Sequence, residues 1–533
     1  MKKQTVYFII CLRIVKPVET LKIFLGGDLT MSFRCYEVTK TELECSEYEI
    51  YINGMRVDTN VARVSAVPFN RRWPGHQRDI SQTELVQFVS GEAEGPVSYE
   101  IRPKAPYDVS KLKIRPYSLG IVPETYEDGT IRFTLEKPAY FTVEPYGRQR
   151  ALHFFIDPIR KYTVNEDADV IYFGAGEHDA GVIELHSGQT LFIDEGAVVY
   201  ASIEATDAKN ISIIGRGILD NSRNKEVILY EANVKSNTTA VPNARRRHTV
   251  LLKYCDNVLI DGITIRDSLV YNIRPICCTG IDIRNVKIIG CWRYNSDGID
   301  MHNCERVRIS DCFIRTYDDS ICVKGFDFFQ SKDPEKTLNE IMYHGGRVYH
   351  TFRDTVIEKC VIWNDWGKAL EIGAETMAEQ ICDIHFRDCD LIHLTTAAID
   401  CMNVDYADVH DITYRNIRIE ADDGVGAKVL QTSDDEVYVN PDPDYLPSAV
   451  IIEVEQHHEY TTFKGKCGRN RNILIEDIDY VGKKPIFTFK GYDGEHLTEG
   501  VTIKSFRVNG EYLRSKEDAV WEENEYTSDI VLK

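Results

Sequence analysis

Ile283-Arg284-Asn285-Val286 and Ile309-Ser310-Asp311-Cys312 are two copies of one short motif. In it, an apolar residue and two polar or small residues precede a closing apolar residue or cysteine. Further copies are Ile260-Asp261-Gly262-Ile263, Ile357-Glu358-Lys359-Cys360, Phe386-Arg387-Asp388-Cys389, Tyr414-Arg415-Asn416-Ile417 and Ile475-Glu476-Asp477-Ile478. The closing positions are separated by steps of 23, 26, 48, 29, 28 and 61 residues. We interpret the step of 48 as two turns of about 24 residues, and the step of 61 as two turns with an insertion.

This spacing predicts a parallel β-helix, because a period of about 20 to 30 residues without helical spacing is typical of its coils. Leucine-rich repeats share the period, but their Leu-x-x-Leu-x-Leu frame is absent. Successive coils stack about 4.8 Å apart. Cys312, Cys360 and Cys389 fall at the same repeat position, so we expect them to form an internal ladder that packs the core.

The residues before the repeats have a different pattern, in which short alternating runs are separated by turn signals. Asn53-Gly54 and Asp128-Gly129 each lie between such runs, which predicts β-hairpins. The sequence therefore predicts an all-β chain, with a small antiparallel β-sandwich before a right-handed parallel β-helix. The predicted divisions are a leader of doubtful authenticity at 1–30, the sandwich at 31–158, the β-helix at 159–510 and a C-terminal tail at 511–533.

Composition limits the class of function. The 533-residue chain is 43% hydrophobic, which predicts a folded protein, and its net charge of -21 disfavours nucleic acid and anionic membrane surfaces as partners. No apolar stretch is long enough to span a bilayer. The 15 cysteines are odd in number and scattered, which favours free thiols and a cytoplasmic location. If residues 1–30 are instead a signal segment, the protein is secreted or periplasmic; translation starting at Met31 is the other interpretation.

Acidic residues concentrate at two neighbouring positions of the predicted coil. Asp297 precedes Asp318 by 21 residues and Asp319 by 22, about one coil, so their carboxylates should lie side by side. Like charges raise one another's proton affinity, and we expect one of the three to be protonated near neutral pH. A neutral acid next to an ionised carboxylate is the arrangement that glycosidic hydrolysis needs. The alternative is that these residues only form turns at coil corners.

Asn295-Ser296-Asp297-Gly298-Ile299-Asp300 resembles the Asn-Thr-Asp motif of glycoside hydrolase family 28, the polygalacturonase family. The stretch from Asp318 to Lys324 resembles that family's Asp-Asp motif, and the likeness extends from about residue 165 to 420. It implies a pectin lyase-like β-helix and an inverting hydrolase without cofactor or metal ion. Asp318 would be the general acid, and Asp297 and Asp319 would share the water.

Two departures leave the substrate open. Lys368 stands where the family has the histidine of Gly-His-Gly, and Ala398-Ile399-Asp400-Cys401 lacks the bases of its Arg-Ile-Lys motif. Lys368 is either a replacement donor or a solvated lysine. The predicted substrate-binding residues are Asn295, Asp300, Lys324, Trp366, Lys368 and Glu371, with Glu375 nearby and Trp363 as a further sugar platform. His457-His458-Glu459 is interpreted as a solvent-facing loop.

The front sandwich, with Ile114-Arg115-Pro116 and the strand at 131–135, resembles the N-terminal domain of glycoside hydrolase family 49, whose members are dextranases and isopullulanases. A neutral α-glucan is therefore the rival substrate. A β-helix polysaccharide lyase and a non-catalytic glycan-binding β-helix are the other hypotheses. An insertion at 327–350, with a helix predicted after Asp333-Pro334, could close one end of the cleft and enforce exo action on a carbohydrate substrate. The oligomeric state is left open.

Overall fold

The computed structural model describes residues 33–71, 80–162, 169–223, 248–326, 340, 342–431, 436–458, 460–462 and 465–533. The predicted leader, the helix predicted after Asp333-Pro334 and most of the first half of the 327–350 insertion lie outside these ranges. Within them the fold is all-β, a right-handed parallel β-helix behind a small sandwich, as the sequence predicts. The described part of the chain contains no helix with the length and apolar character that a membrane crossing requires.

The sandwich consists of two sheets that enclose their own apolar core. The first sheet contains Phe33–Cys35, Asn60–Ser65, Thr83–Ala93, Lys113–Arg115, Tyr140–Glu144 and Leu152–Pro158. The second contains Tyr48–Ile52, Met55–Val57, Val97–Pro103, Glu124–Thr125 and Ile131–Leu135. Both predicted hairpins are confirmed, because Tyr48–Ile52 pairs antiparallel with Met55–Val57 and Glu124–Thr125 with Ile131–Leu135. One pairing differs from the antiparallel prediction: Leu152–Pro158 runs parallel to Thr83–Ala93.

The β-helix is one 31-stranded sheet that winds through three stacks of parallel strands. The first stack contains Asp169–Phe173, Gln189–Ile193, Lys209–Gly215, Asp256–Asp261, Thr279–Arg284, Glu305–Ser310, Thr351–Glu358, Gln380–Arg387, Asp408–Ala421, Arg469–Gly482 and Thr498–Val508. The second contains Gly176–Glu184, Ala197–Thr206, Ile218–Asp220, Thr264–Arg266, Lys287–Ile289, Phe313–Thr316, Val361–Asn364 and Asp390–His393.

The third stack contains Val250–Lys253, Ile273–Ile276, Ile299–His302, Ile321–Lys324, Lys368–Ala374, Ala397–Asn403, Ser448–Val454, Ile486–Lys490 and Val520–Glu523. Residues 511–533, which the sequence divides off as a tail, contain Glu511–Tyr512, Thr527–Ser528 and Val531–Leu532, which pair with Thr498–Val508. The remaining short elements are the strands Phe69–Arg71, Tyr343–His344, Arg347–Val348 and Val429–Gln431 and the 3-10 turns Ile80–Gln82, Val109–Lys111, Tyr117–Leu119, Arg148–Arg150 and Lys516–Asp518.

The two long steps of the repeat are one turn each, which corrects our sequence interpretation. Val361 N–H donates to Cys312 O at 2.9 Å, so Cys312 and Cys360 lie on adjacent coils although 48 residues separate them. Ile417 pairs directly with Ile478 across the step of 61. Among the surplus residues that the structure describes, Tyr343–His344, Arg347–Val348 and Val429–Gln431 lie outside the 31-stranded sheet. Spacing alone could not show this, because a loop and a turn add similar numbers of residues.

A left-handed backbone conformation marks the corner between the first and second stacks. Six of the seven residues just before the closing positions have φ between 53 and 57°, namely Asn285, Asp311, Lys359, Asp388, Asn416 and Asp477, and the seventh, Gly262, has φ 87°. Asn and Asp adopt this conformation more readily than other L-residues, because their short polar side chains can hydrogen-bond locally. The polar pair in the motif is therefore a corner signal.

The predicted cysteine ladder is confirmed. Cys312, Cys360 and Cys389 are fully buried in the apolar interior of the coil and stack at that same corner. A second column, Cys255, Cys278 and Cys304, stacks between the third and first stacks, with Cys255 N–H donating to Cys278 Sγ at 3.3 Å. All fourteen cysteines in the described residues are free thiols. They pack the core, as small apolar groups do.

The sandwich packs against the outer side of the second stack. A shared apolar cluster joins the two, with Phe88 and Phe155 from the sandwich against Phe313 and Trp363 from the coil. Phe155 and Phe313 have ring centres 4.9 Å apart. The contact leaves the outer side of the third stack uncovered by this cluster, and that is the side on which the acidic residues lie.

Candidate active site

The acidic residues lie at successive corners between the second and third stacks. Asp297 precedes the strand Ile299–His302, and Asp318 and Asp319 precede the next strand, Ile321–Lys324. Gly298 N–H donates to Asp319 O at 2.8 Å, and Ser320 N–H donates to Lys368 O at 2.8 Å. The corners are therefore neighbours on consecutive coils, which is the placement that the one-coil spacing predicts.

The carboxylates of Asp297, Asp318 and Asp319 lie close together. One oxygen from each of Asp297, Asp318 and Asp319 lies within 4.8 Å of the others. This separation of the closest oxygens is shorter than the roughly 6.5 to 9.5 Å between carboxyl groups that leaves room for a water in inverting glycosidases. Asp297 is 2% exposed and Asp319 9% exposed, whereas Asp318 is half-buried. Asp318 is thus the carboxylate of the three most open to a ligand.

Their proton affinities diverge. Burial raises the pKa of Asp318 to about 7, with a further contribution from the negative charge of Asp319. Burial also acts on Asp319, but Lys368, a hydrogen bond with Glu371 and Lys324 outweigh it and lower the pKa of Asp319 to about 2. Burial, then Asp300 and Asp318, hold the pKa of Asp297 well above its usual range. Near neutral pH the site therefore pairs an ionised Asp319 with an Asp318 that can carry a proton.

Lys324 lies under the carboxylates and is surrounded by acids. Its Nζ lies 3.0 Å from Asp300 Oδ2, 3.1 Å from Glu375 Oε2 and 4.0 Å from Asp297 Oδ2. Asp300 is fully buried, and burial raises its pKa against the influence of Lys324. Asp300 and Lys324, predicted to bind substrate, are thus engaged with each other and with Glu375 and Asp297.

Lys368 is the first residue of the strand on the next coil and borders Asp319. Its Nζ donates to Glu371 Oε1 at 2.6 Å and lies 4.0 Å from Asp319 Oδ1 and 3.8 Å from Asp400 Oδ2. Its backbone N–H donates to Asp319 Oδ1 at 2.9 Å. The preceding Gly367 is required here, since a Cβ at that position would lie 2.3 Å from Asp319 Oδ1. Of the two alternatives for Lys368, the partly buried donor fits this environment and the solvated lysine does not.

An outward-facing row of polar side chains continues along the third stack. Asp300 pairs in register with Cys322, Cys322 with Glu371, and Glu371 with Asp400. Glu371 is fully buried, and burial and Asp319 raise its pKa well above the usual range. Burial also raises the pKa of Asp400 to about 7. Asp400 was not among the predicted site residues.

The remaining predicted residues differ in their access to a ligand. Asn295 is half-buried, and its backbone N–H donates to Asp318 Oδ2 at 3.3 Å. Trp366 is 7% exposed and lies against Tyr317, with ring centres 5.7 Å apart. Trp363 is fully buried, with the Arg315 guanidinium 3.8 Å from its ring centre. The prediction of a sugar platform at Trp363 is therefore wrong, because its ring is enclosed between the sandwich and the coil.

Two side chains near the site were missed by the sequence reasoning because they lie on loops of the 61-residue turn. Tyr460 is 36% exposed and stacks on His457, with ring centres 4.6 Å apart. Burial, then the charges of Glu375 and Asp318, raise the pKa of Tyr460. Lys428 acts electrostatically on Asp318 and Asp319 from the other loop. The only signal for either was the surplus length; Glu459 lies outside the described residues.

The spacing of Asp297, Asp318 and Asp319 could also hold a cation, as could that of Asp319, Cys322 and Glu371. Lys324 and Lys368 already supply positive charge to these groups, each 4.0 Å from one of the aspartates. A divalent ion would be repelled by both ammonium groups. The arrangement is better suited to proton transfer between carboxyl groups than to tight cation binding.

Part of the chain is similar in sequence to known proteins. Residues 173–423 match the sequence model of glycosyl hydrolases family 28. A probable polygalacturonase from Vitis vinifera is 25% identical over 203 residues, which cover 33% of this chain and 41% of that protein. A polygalacturonase from Gossypium barbadense is 29% identical over 144 residues, 27% of this chain and 33% of that one. The chain therefore spans less than half the length of these relatives.

Solved structures also resemble this chain. The exopolygalacturonase from Thermotoga maritima has a TM-score of 0.44 and 16% identity, covering 64% of this chain and 80% of that one. Dex49A from Penicillium minioluteum has a TM-score of 0.46 and 13% identity, covering 92% of this chain and 95% of that one. The resemblance of the front sandwich to family 49 stays a prediction.

Proposed function

We propose that this protein is a glycoside hydrolase of the polygalacturonase type, acting on the glycosidic bonds of an oligo- or polysaccharide. The observation that carries the proposal is the pair Asp318 and Asp319, adjacent in sequence and shifted in opposite directions, to a pKa of about 7 and about 2. A proton donor and an ionised carboxylate, side by side, are the two groups that this reaction requires. The match of residues 173–423 to family 28 supports the same reaction class.

In the proposed reaction, protonated Asp318 gives its proton to the glycosidic oxygen as the bond to the anomeric carbon breaks. Ionised Asp319 accepts a proton from a water, whose oxygen bonds to that carbon. The exchange leaves Asp318 ionised and Asp319 protonated, and a proton transfer through solvent restores the starting state. Lys368 and the Lys368 N–H hold Asp319 in its ionised form.

Inversion at the anomeric carbon is part of the proposal and rests on the resemblance to family 28. The product anomer is therefore the decisive measurement. Oligogalacturonides and gluco- and galacto-oligosaccharides should be incubated with the full chain and followed by NMR from the first seconds. We expect the anomer opposite to that of the cleaved bond. The retained anomer would overturn inversion, and no cleavage of any member would overturn the hydrolase proposal.

The rival substrate, a neutral α-glucan, is favoured by one observation, the acid Asp400 where family 28 has bases. The same panel decides between the two, because cleavage of gluco-oligosaccharides alone would establish the α-glucan. A lyase would give products that absorb in the ultraviolet and would be stopped by EDTA. We also propose exo action; a rapid loss of viscosity of a polymeric substrate would contradict it.

A further inference from the structure

The loop after the strand Asp408–Ala421 is held by the front sandwich. Its strand Val429–Gln431 pairs in parallel with Phe69–Arg71, and these two strands form a sheet of their own. Val429 N–H donates to Pro68 O at 3.1 Å. A segment of the β-helix domain is thus fixed by a strand that comes from the N-terminal domain.

The other end of this loop is fixed by charge. Arg115, fully buried, donates to Glu420 Oε2 at 2.6 Å and to Asp422 Oδ1 at 2.7 Å. The next residue, Asp423, accepts a hydrogen bond from His393 Nδ1 at 2.5 Å. Buried ion pairs with several hydrogen bonds define geometry strongly, because breaking one leaves an uncompensated charge. The loop is therefore anchored on both sides of residues 424–428.

Lys428 lies between the two anchors, near the indole ring of Trp366. Its Nζ is 5.2 Å from the ring centre of Trp366, and Trp366 in turn lies against Tyr317, the residue before Asp318. Lys428 interacts electrostatically with both Asp318 and Asp319. Lys428 is exposed as a whole residue.

The three lysines of the site differ in whether a carboxylate of the protein already contacts the ammonium group. Lys324 and Lys368 each have a carboxylate oxygen within 3.0 Å. Lys428, by contrast, has no carboxylate within 4.0 Å among the residues that the structure describes. Its charge is therefore available to a ligand lying over Asp318.

We propose that Lys428, held over the carboxylates by the front sandwich, contacts the carboxylate of an acidic sugar bound next to the scissile bond and so selects uronates over neutral sugars. This inference rests on the proposed function and assigns the selection to a loop outside the family motifs. A hydrogen bond between two charged groups is stronger than one between neutral groups, so loss of Lys428 should be felt by acidic substrates alone.

The test uses two substrates with the same linkage and size, trigalacturonic acid and its methyl ester. Initial rates are measured for the wild-type full chain and for Lys428→Met, Lys428→Arg and the surface control Lys483→Met. We expect Lys428→Met to lower kcat/KM for the acid by about 10- to 100-fold and to leave the ester within about twofold. Lys428→Arg should keep most of the preference, and Lys483→Met all of it. Thermal melting confirms that each variant is folded.

A second variant tests the anchoring. Val429→Pro removes the N–H that bonds Pro68 O while keeping the lysine at position 428, and the released loop should produce the same selective loss. An equal fall for both substrates in Lys428→Met, or no fall for either, would overturn the assignment to Lys428. Those results leave the proposed function standing, since wild-type cleavage supports it. A wild-type protein that cleaves neither of these substrates overturns the uronate assignment. Cleavage of another member of the oligosaccharide panel would then still support the hydrolase.

Discussion

The inner and outer sides of the coil both stack similar residues on successive turns, but the chemical result is different on each side. Inside, Cys312, Cys360 and Cys389 stack at one corner as fully buried side chains of the apolar core. Outside, one corner away, Asp297, Asp318 and Asp319 stack in the same way, and their charges act on one another. Parallel stacking brings like residues together wherever they recur. Stacked thiols pack as apolar core, whereas stacked carboxylates shift one another's pKa values.

The largest expected effect comes from removing the proton donor of the outer side. Asp318→Asn keeps the size of the side chain but cannot give up a proton, so we expect kcat to fall by about 10⁴-fold while the melting temperature stays within a few degrees. The control is Asp311→Asn, the same chemical change on an exposed corner residue of the same coil. A fall of less than about tenfold in Asp318→Asn would remove Asp318 from the reaction.

A carboxylate placed in the apolar interior of the coil tests this difference between the two sides. Cys360→Asp puts an unpaired acid in the dry corner, and we expect the free energy of unfolding to fall by about 3–5 kcal/mol at neutral pH. The pKa of the new acid would be raised in the folded state, so the loss should shrink as the pH falls through that raised pKa towards the unfolded value of about 4. Cys360→Ala, which removes one sulfur, should cost about 1 kcal/mol. Equal denaturation midpoints for the two variants would contradict a dry interior.

A smaller effect is expected when the positive charge of Lys368 is removed from the acidic site. Lys368 lowers the pKa of Asp319 and of Asp318, so Lys368→Met should raise both. The wild-type rate should fall as the pH drops through about 2, when Asp319 protonates, and as it rises through about 7, when Asp318 loses its proton. In Lys368→Met both limbs should move to higher pH, with kcat lower by about 10- to 100-fold. An unchanged acid limb, as expected for Lys483→Met, would show that Lys368 does not act on Asp319.

Much of the fold follows from the sequence, because the corner residues carry a physical requirement. Asn285 and Asp311 adopt the left-handed conformation and are followed by a buried side chain, and that pair recurs on each coil. The sequence could not give the number of coils. The steps of 48 and 61 are single turns, and whether surplus residues form a turn or a loop depends on hydrogen bonds with distant strands.

The residues of the candidate site also divide into those that the repeat predicts and those that lie on loops. Asp297, Asp318 and Asp319 could be brought together from the sequence, since one coil of spacing places them side by side. Lys428 and Tyr460 could not, because they lie on loops that follow no repeat and approach the carboxylates only through tertiary contacts. Trp363 was misjudged for a related reason: its position beside the site was predictable, but the sandwich that covers it was not.

The strand pair between Phe69–Arg71 and Val429–Gln431 bears on how the molecule comes apart. Residues far apart in sequence complete a small sheet together, and a shared apolar cluster and the Arg115 ion pairs reinforce it. The sandwich and the coil should therefore melt in one cooperative transition. A truncated chain starting at 159 would expose the apolar face that Phe313 and Trp363 now share with the sandwich, and would release the loop that this sheet holds.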